Sequence, residues 1–363
     1  MDPLRIGVVG CGDISGIYFE NLQKFSMTEV VACSDLDGGK ATARADQFGV
    51  PRVLSTDALL ADPEVELVLN LTVPKAHGPV NLAAVRAGKH VYVEKPLALS
   101  REEAKTIRAS NVLVGGAPDT FLGAGLQTCR RLIDSGAIGE PIGVNAFMMC
   151  HGHESWHRSP EFYYEVGGGP LFDMGPYYLT ALVSLLGPIA SVSGAARVTL
   201  PTRTITSEPK RGKVIEVETP THIVGTLGFA NGAIGQITTS FDVWSHTMPH
   251  IEIYGTEGSI STPDPNGFGG PVRVKAAKDD AWREVTVEGP YSQNSRGLGV
   301  LDMAHAIRRG REARASGALA YHVLDVMQAI LESAESGSRI SIASSVSRPS
   351  PIPVDAPEDD LPG

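Results

Sequence analysis

A short apolar run at residues 6–9 ends in Gly10-Cys11-Gly12, and a carboxylate, Asp35, closes the next apolar run at residues 29–34. This combination restricts the possible folds more than any other feature of the chain. An apolar run without alternation describes a strand buried on both faces. Gly10 permits a tight turn, and Gly12 lets backbone approach a pyrophosphate closely. A helix expected to begin near Asp13 and Ile14 and to run toward Phe25 aims its free amides at that anion. Ser15 occupies the third glycine position of the strict G-x-G-x-x-G fingerprint and is small enough for helix–strand packing. Asp35 lies where a carboxylate accepts hydrogen bonds from an adenosine ribose, about 20 residues after the turn. It would repel a 2′-phosphate, and no arginine follows at once, so the expected cofactor is NAD rather than NADP. A glycine turn or a strand-end acid is ordinary by itself; the coincidence of strand, turn and spacing selects the dinucleotide reading. Apolar residues 65–71, a helical stretch at 80–87 with Gly88 as its C-cap, and a strand at 90–93 continue the alternation. The expected fold class is α/β, with an N-terminal parallel doubly wound sheet.

The chain has 363 residues, enough for two domains. Its 31 Lys+Arg against 41 Asp+Glu give a net charge of −10, without a basic block, which disfavours nucleic acid and anionic membrane as partners. No apolar run approaches a membrane span, and Met1-Asp2-Pro3-Leu4-Arg5 lacks the layout of a signal peptide. Cys11, Cys33, Cys129 and Cys150 are far apart and form no CxxC pair. That pattern predicts reduced thiols in a cytoplasm rather than a disulfide frame or a zinc site.

Residues 126–135 predict a helix ended by Gly136. Residues 221–230 and 233–240 predict strands joined by a turn at Asn231-Gly232, and residues 321–333 predict a late helix. The stretch 101–114 allows only a short helix. A strand at 112–115 gives way to Pro118-Asp119-Thr120, so the expected domains are 1–120 for the dinucleotide and 121–363 for substrate and oligomerisation. The acidic, proline-rich tail 351–363 is expected to be loose.

After the strand at 90–93 comes Glu94-Lys95-Pro96. This motif joins Gly10-Cys11-Gly12, Thr72-Val73-Pro74, His77, the Ala-Gly-Lys-His-Val of 87–91, the Asp-Ser-Gly-Ala-Ile-Gly-Glu of 134–140, Gly167-Gly168-Gly169 with Asp173, and the Tyr-Gly-Thr-Glu-Gly of 254–258. In order and spacing the set resembles the Gfo/Idh/MocA oxidoreductase family over nearly the whole chain. The resemblance implies an N-terminal Rossmann domain and a C-terminal α+β domain with an open, mostly antiparallel sheet. It implies NAD(P) carrying hydride to or from a sugar, inositol or related polyol, and a homo-oligomer, dimer or tetramer. Thr72, Pro74, His77, Glu94 and Lys95 then join Gly10, Gly12, Asp13, Ile14 and Asp35 around the cofactor. His77 would stand on the nicotinamide side, although a structural hydrogen-bonder is an equal reading. The family's lysine, here Lys95, bonds the reacting oxygen and takes part in proton transfer, and the following Pro96 is expected in a cis bond.

Relatives carry Asp, then His four residues on, then Asp three further. Here Asp173 is kept, while Tyr177 and Thr180 take the other places. Asp173 and Tyr177, at i and i+4, share one helix face. A phenol of reference pKa ~10 is a weaker base than imidazole. Tyr177 therefore has three open roles: orienting a sugar, relaying the proton to Lys95, or packing. His153, Trp156 and His157 lie in a run of aromatics and histidines suited to stacking on sugar rings and bonding hydroxyls. His151, His153 and His157 also read as metal ligands, but no cysteine pair or acidic cluster completes a shell, and no metal is expected. Asp119 reads equally as a substrate residue or a helix cap. The leading function is an NAD-dependent dehydrogenase acting on a secondary ring hydroxyl of a sugar, glycoside, aminoglycoside or cyclitol. The alternatives are an NAD-retaining, redox-assisted glycosidase and a catalytically silent dinucleotide-binding sensor.

Overall fold

Five strands, β1 (Leu4–Val9), β2 (Thr28–Ser34), β3 (Leu67–Asn70), β4 (His90–Val93) and β5 (Val114–Gly116), form a parallel sheet in the order β2-β1-β3-β4-β5. The computed structural model describes residues 1–357 and 359–362. Leu67, Val68 and Leu69 of β3 are fully buried, and each such side chain contributes about 1.5–3 kcal/mol. Burial on both faces is why these strands read as unbroken apolar runs. The connections are α1 (Ser15–Leu22), α2 (Gly38–Phe48), α3 (Thr56–Ala61), α4 (Pro74–Arg86) and α5 (Arg101–Arg108). Ser55 and Ser100 cap α3 and α5 by accepting from Ala58 N and Glu103 N, both at 3.2 Å. α5 is short, as expected. α1 starts two residues later and stops earlier than the amphipathic pattern predicts, and β5 begins at Val114 instead of residue 112.

A second unit holds α6 (Ala124–Asp134), β6 (Pro141–Met149), α7 (Gly169–Leu186) and β7 (Ile189–Arg197), then a small ladder of β8 (Thr202–Thr204) and β9 (Val214–Glu216). It continues with β10 (His222–Phe229), β11 (Ile234–Ser240), β12 (Ile251–Gly255), β13 (Gly258–Ser261), β14 (Val272–Ala276), β15 (Arg283–Val285) and β16 (Ile340–Ser341). The nine-stranded sheet runs β15-β14-β13-β12-β6-β11-β10-β7-β16, antiparallel except for the parallel β6–β11 pair. Asn231-Gly232 closes the β10–β11 hairpin, with Asn231 Oδ1 accepting from Ala233 N at 3.0 Å.

The chain divides into residues 1–124, 288–324 and 349–363 on one side and 125–287 and 325–348 on the other. The sequence reading placed everything after residue 120 in the second domain. Instead α8 (Leu298–Arg309), the start of α9 (Gly317–Ser336) and the tail join the first unit. The edge strand β5 explains part of this: a Cβ on Gly115 would lie 3.0 Å from the Met303 sulfur of α8, so the helix packs directly on the glycine. The described residues of the tail are not loose either. Ile352 and Leu361 are buried, and Arg314 donates to Ser350 O at 3.0 Å and to the carbonyls of Pro351 and Pro362. Proline-rich composition reads as mobile chain, but apolar anchors and carbonyl acceptors dock it here.

Candidate active site

Gly10 takes φ +102°, and a Cβ there would fall 2.6 Å from the Leu71 carbonyl carbon, so the turn packs against the end of β3. Gly12 has nothing within 4 Å of its Cβ position and faces open space. Asp13 and Ile14 are exposed, and no side chain caps the α1 N-terminus at Ile14. Ser15 turns inward instead, its hydroxyl donating to Gly12 O at 2.6 Å. Asp35 accepts from Cys11 N (2.7 Å) and from Asp37 N (2.8 Å), which aims its carboxylate at the turn while leaving it partly exposed. Arg44 of α2 donates to Gly12 O at 3.2 Å, a brace that local sequence reading missed because it comes from 32 residues away. The open turn and uncapped helix end suit a pyrophosphate, and the oriented carboxylate suits a ribose diol, so these residues fit a dinucleotide.

At the end of β4, Glu94 is buried and accepts from the Tyr18 hydroxyl at 2.6 Å and from Lys95 N at 3.1 Å. Burial, with Glu94 beside it, pushes the Tyr18 phenol well up, so it stays a donor. Lys95 is half-buried, and its bond to Pro96 is cis. His77 is 1% exposed, with Nδ1 2.7 Å from Pro96 O and Nε2 2.9 Å from Thr72 O. Burial holds its pKa down, against those two hydrogen bonds. Both ring nitrogens lie within hydrogen-bond distance of backbone carbonyls, and the single N–H of the neutral ring donates to one of them, so His77 ties into the segments bearing Thr72 and Pro96. Thr72 is tied to Asn70 Oδ1 through its amide (3.2 Å) and hydroxyl (2.6 Å), and Pro74 opens α4.

Of the two readings of Asp119, the structure supports the helix cap over the substrate residue. It is 1% exposed, and one carboxylate oxygen accepts from Gly297 N (2.8 Å) and Gly299 N (3.0 Å) at the start of α8, so it caps that helix. Burial pushes its pKa up to about 6, against those two donors. Because the folded value lies above the ordinary 3.8, the stability it lends is complete below that pH and is lost as pH rises through about 6. The loss amounts to roughly 2–3 kcal/mol. Asp119→Asn keeps an acceptor without the charge. Melting temperatures of the two proteins from pH 4 to 7 should therefore diverge in favour of Asn as pH rises; a constant difference would contradict this ionisation.

In the second unit, α7 carries Asp173 and, one turn on, Tyr177, which is 8% exposed; Thr180 is buried in the same helix. His153, from the loop after β6, places Nε2 3.1 Å from Asp173 Oδ2. The sequence showed both residues but not this pairing, since nothing local links position 153 to 173. Trp156 is 63% exposed, its ring centre 5.1 Å from that of His153. His157 sits edge-on to Tyr163 at 5.3 Å, and its Nδ1 accepts from Ser159 N at 3.0 Å. His151 stacks on Trp244 at 3.3 Å, away from any shared ligand set. Among the described residues no group of three or more His, Cys, Asp or Glu is placed to hold a metal ion. No helix there is long and apolar enough to cross a membrane.

Comparison with known proteins adds three findings. Residues 4–111 match the oxidoreductase-family model with an NAD-binding Rossmann fold, and residues 126–261 match the GFO/IDH/MocA C-terminal domain. The chain is 28% identical over 264 residues to 1,5-anhydro-D-fructose reductase of Ensifer adhaerens, covering 70% of this chain and 74% of that protein. It is 28% identical over 266 residues to scyllo-inositol 2-dehydrogenase (NAD(+)) of Bacillus subtilis, covering 71% and 73%. The fold is shared with an NAD-binding oxidoreductase from Klebsiella pneumoniae at a TM-score of 0.83 and 22% identity, over 95% of this chain and 100% of that one.

Proposed function

Because the chain belongs to the GFO/IDH/MocA oxidoreductase family, we propose that it is an NAD-dependent dehydrogenase that oxidises, or in reverse reduces, a secondary ring hydroxyl of a sugar or cyclitol. The observation that carries the cofactor is the carboxylate of Asp35, fixed against a glycine turn that is open at Gly12 and followed by an uncapped helix. NAD, when bound, takes up the hydride leaving the carbinol carbon. The amides around Gly12, Asp13 and Ile14 hold the pyrophosphate and Asp35 the ribose. Lys95 takes the hydroxyl proton, because it emerges at the carboxyl end of a parallel strand, where sheets of this kind bind ligands. Asp173 and Tyr177 serve the substrate's hydroxyls, and Trp156 offers a flat face to its ring. The names of the two relatives, a reductase of an anhydro sugar and a dehydrogenase of an inositol, support a ring hydroxyl over an open-chain alcohol. The same reading places the protein in the cytoplasm, consistent with its four free cysteines, as a homo-oligomer that light scattering would reveal.

The test is NADH formation across free sugars, inositols, glycosides and aminoglycosides. Steady NADH release with one ring class is expected. Glycoside cleavage without net NADH would assign the NAD-retaining glycosidase instead, and no hydride transfer to any substrate would leave a dinucleotide-binding sensor. For the cofactor itself, NAD should bind about tenfold or more tightly than NADP, since the extra phosphate meets the Asp35 carboxylate. Asp35→Ser should narrow the gap. Equal Kd values in the wild type would remove Asp35 from cofactor selection.

A further inference from the structure

We propose that His153 is a positioning residue for Asp173: from the loop after β6 it holds the α7 carboxylate ionised and in one orientation toward a hydroxyl of the bound polyol. This rests on the reading of Asp173 as a substrate residue. The two side chains are 10% and 13% exposed and meet at 3.1 Å. A carboxylate that far from water is costly unless paired, and the imidazole supplies the partner. The ring has little freedom to leave. Tyr163 meets it edge-on at 4.1 Å, Phe241 lies at 4.6 Å and Trp156 at 5.1 Å.

The loop behind His153 is built to keep it there. Gly152 has φ +80°, and a Cβ on it would fall 2.3 Å from the Tyr164 hydroxyl, so the chain passes as close to that ring as a glycine allows. The Tyr164 hydroxyl donates to the Glu154 carboxylate, whose other oxygen accepts from Arg203 Nη1 at 2.8 Å. Arg203 also pairs with Asp242, and Glu154 O accepts from Thr206 N at 2.9 Å. A loop that merely covered α7 would need no buried charges fixing its shape. The titratable groups facing His153 are then Asp173 from α7, Cys150 at the end of β6, and Tyr163 and Tyr164 from its own loop; Glu154 is turned to Arg203. Burial works against the imidazolium, but the hydrogen bond that the ring donates to Asp173, with Cys150 nearby, raises its pKa to about 9. A carboxylate locked in this way is a fixed acceptor for a polyol hydroxyl.

The full-length protein labelled in its histidine rings tests this, with the His153 signal assigned by its loss in His153→Gln. The wild-type ring should titrate near 9, and in Asp173→Asn it should fall to the ordinary 6.5 or below. A wild-type value near 6.5, or no change in Asp173→Asn, overturns the proposal without reference to activity. On the best substrate, His153→Ala should lower kcat/KM by ~10-fold or more, equivalent to one pKa unit of coupling, with NAD affinity unchanged. His153→Gln, which keeps an N–H near the Nε2 position, should recover part of the loss but not the alkaline limb of the pH profile. Wild-type kinetics in His153→Ala would sink the positioning role and leave the dehydrogenase reading intact. An inert wild type would sink that reading, while the titration would still decide the pair.

Discussion

Lys95→Ala should lower NADH formation by ~10²–10⁴-fold while leaving NAD affinity unchanged, the range expected for a placed acid or base. The backbone at this position is held from both sides independently of the lysine side chain. Its amide donates to Glu94, which is anchored by Tyr18, and the carbonyl of the next residue, Pro96, is held by His77. Truncation therefore removes the side-chain amine without releasing the strand end or the turn at Gly10 and Gly12. Lys95→Arg separates proton transfer from charge, because a guanidinium does not deprotonate in this range; it should be nearly as slow as alanine. Tyr177→Phe deletes only the hydroxyl: a lower kcat at unchanged KM would give the phenol a part in the chemistry, and near-wild-type turnover would leave it to packing. Near-wild-type turnover by Lys95→Ala would defeat the mechanism, and loss of NAD binding would make Lys95 a cofactor residue instead.

The largest expected effect on stability lies elsewhere in the first unit. Asp302 is fully buried and accepts from Arg314 at 2.6 Å and Arg311 at 2.7 Å; the Arg314 side chain is itself only 3% exposed. Arg314→Ala removes one of the two guanidinium partners, leaving Arg311 and the amide of residue 314, and cuts three carbonyl contacts to the C-terminal segment. Removing one member of a buried pair costs about 3–5 kcal/mol. That corresponds to a Tm lower by roughly 10 °C for a unit of this size. Calorimetry of Arg314→Ala and of Arg314→Lys, which keeps the charge but loses the fork, should give a large and a smaller drop. An unchanged Tm would mean that Arg311 alone suffices and that the tail adds nothing.

What the sequence by itself determined is what short-range physics controls. Double burial wrote β3 and β4 as apolar runs, and Asn231-Gly232 announced a hairpin. The cofactor turn was legible for the same reason: Gly10, Gly12 and Ser15 act within one turn, and Asp35 follows at the spacing that a strand–helix–strand unit imposes. Tertiary structure alone decided where the polar side chains went. Asp119 and the α8 amides it caps are 178 and 180 residues apart, Tyr18 and Glu94 are 76 apart, and His153 and Asp173 are 20 apart on different elements. A carboxylate or imidazole reads the same in a sequence whether it is destined for a substrate hydroxyl, a helix end or another side chain. Its partner is chosen only when the chain returns, because a buried charge accepts whichever donor the packing brings within hydrogen-bond reach.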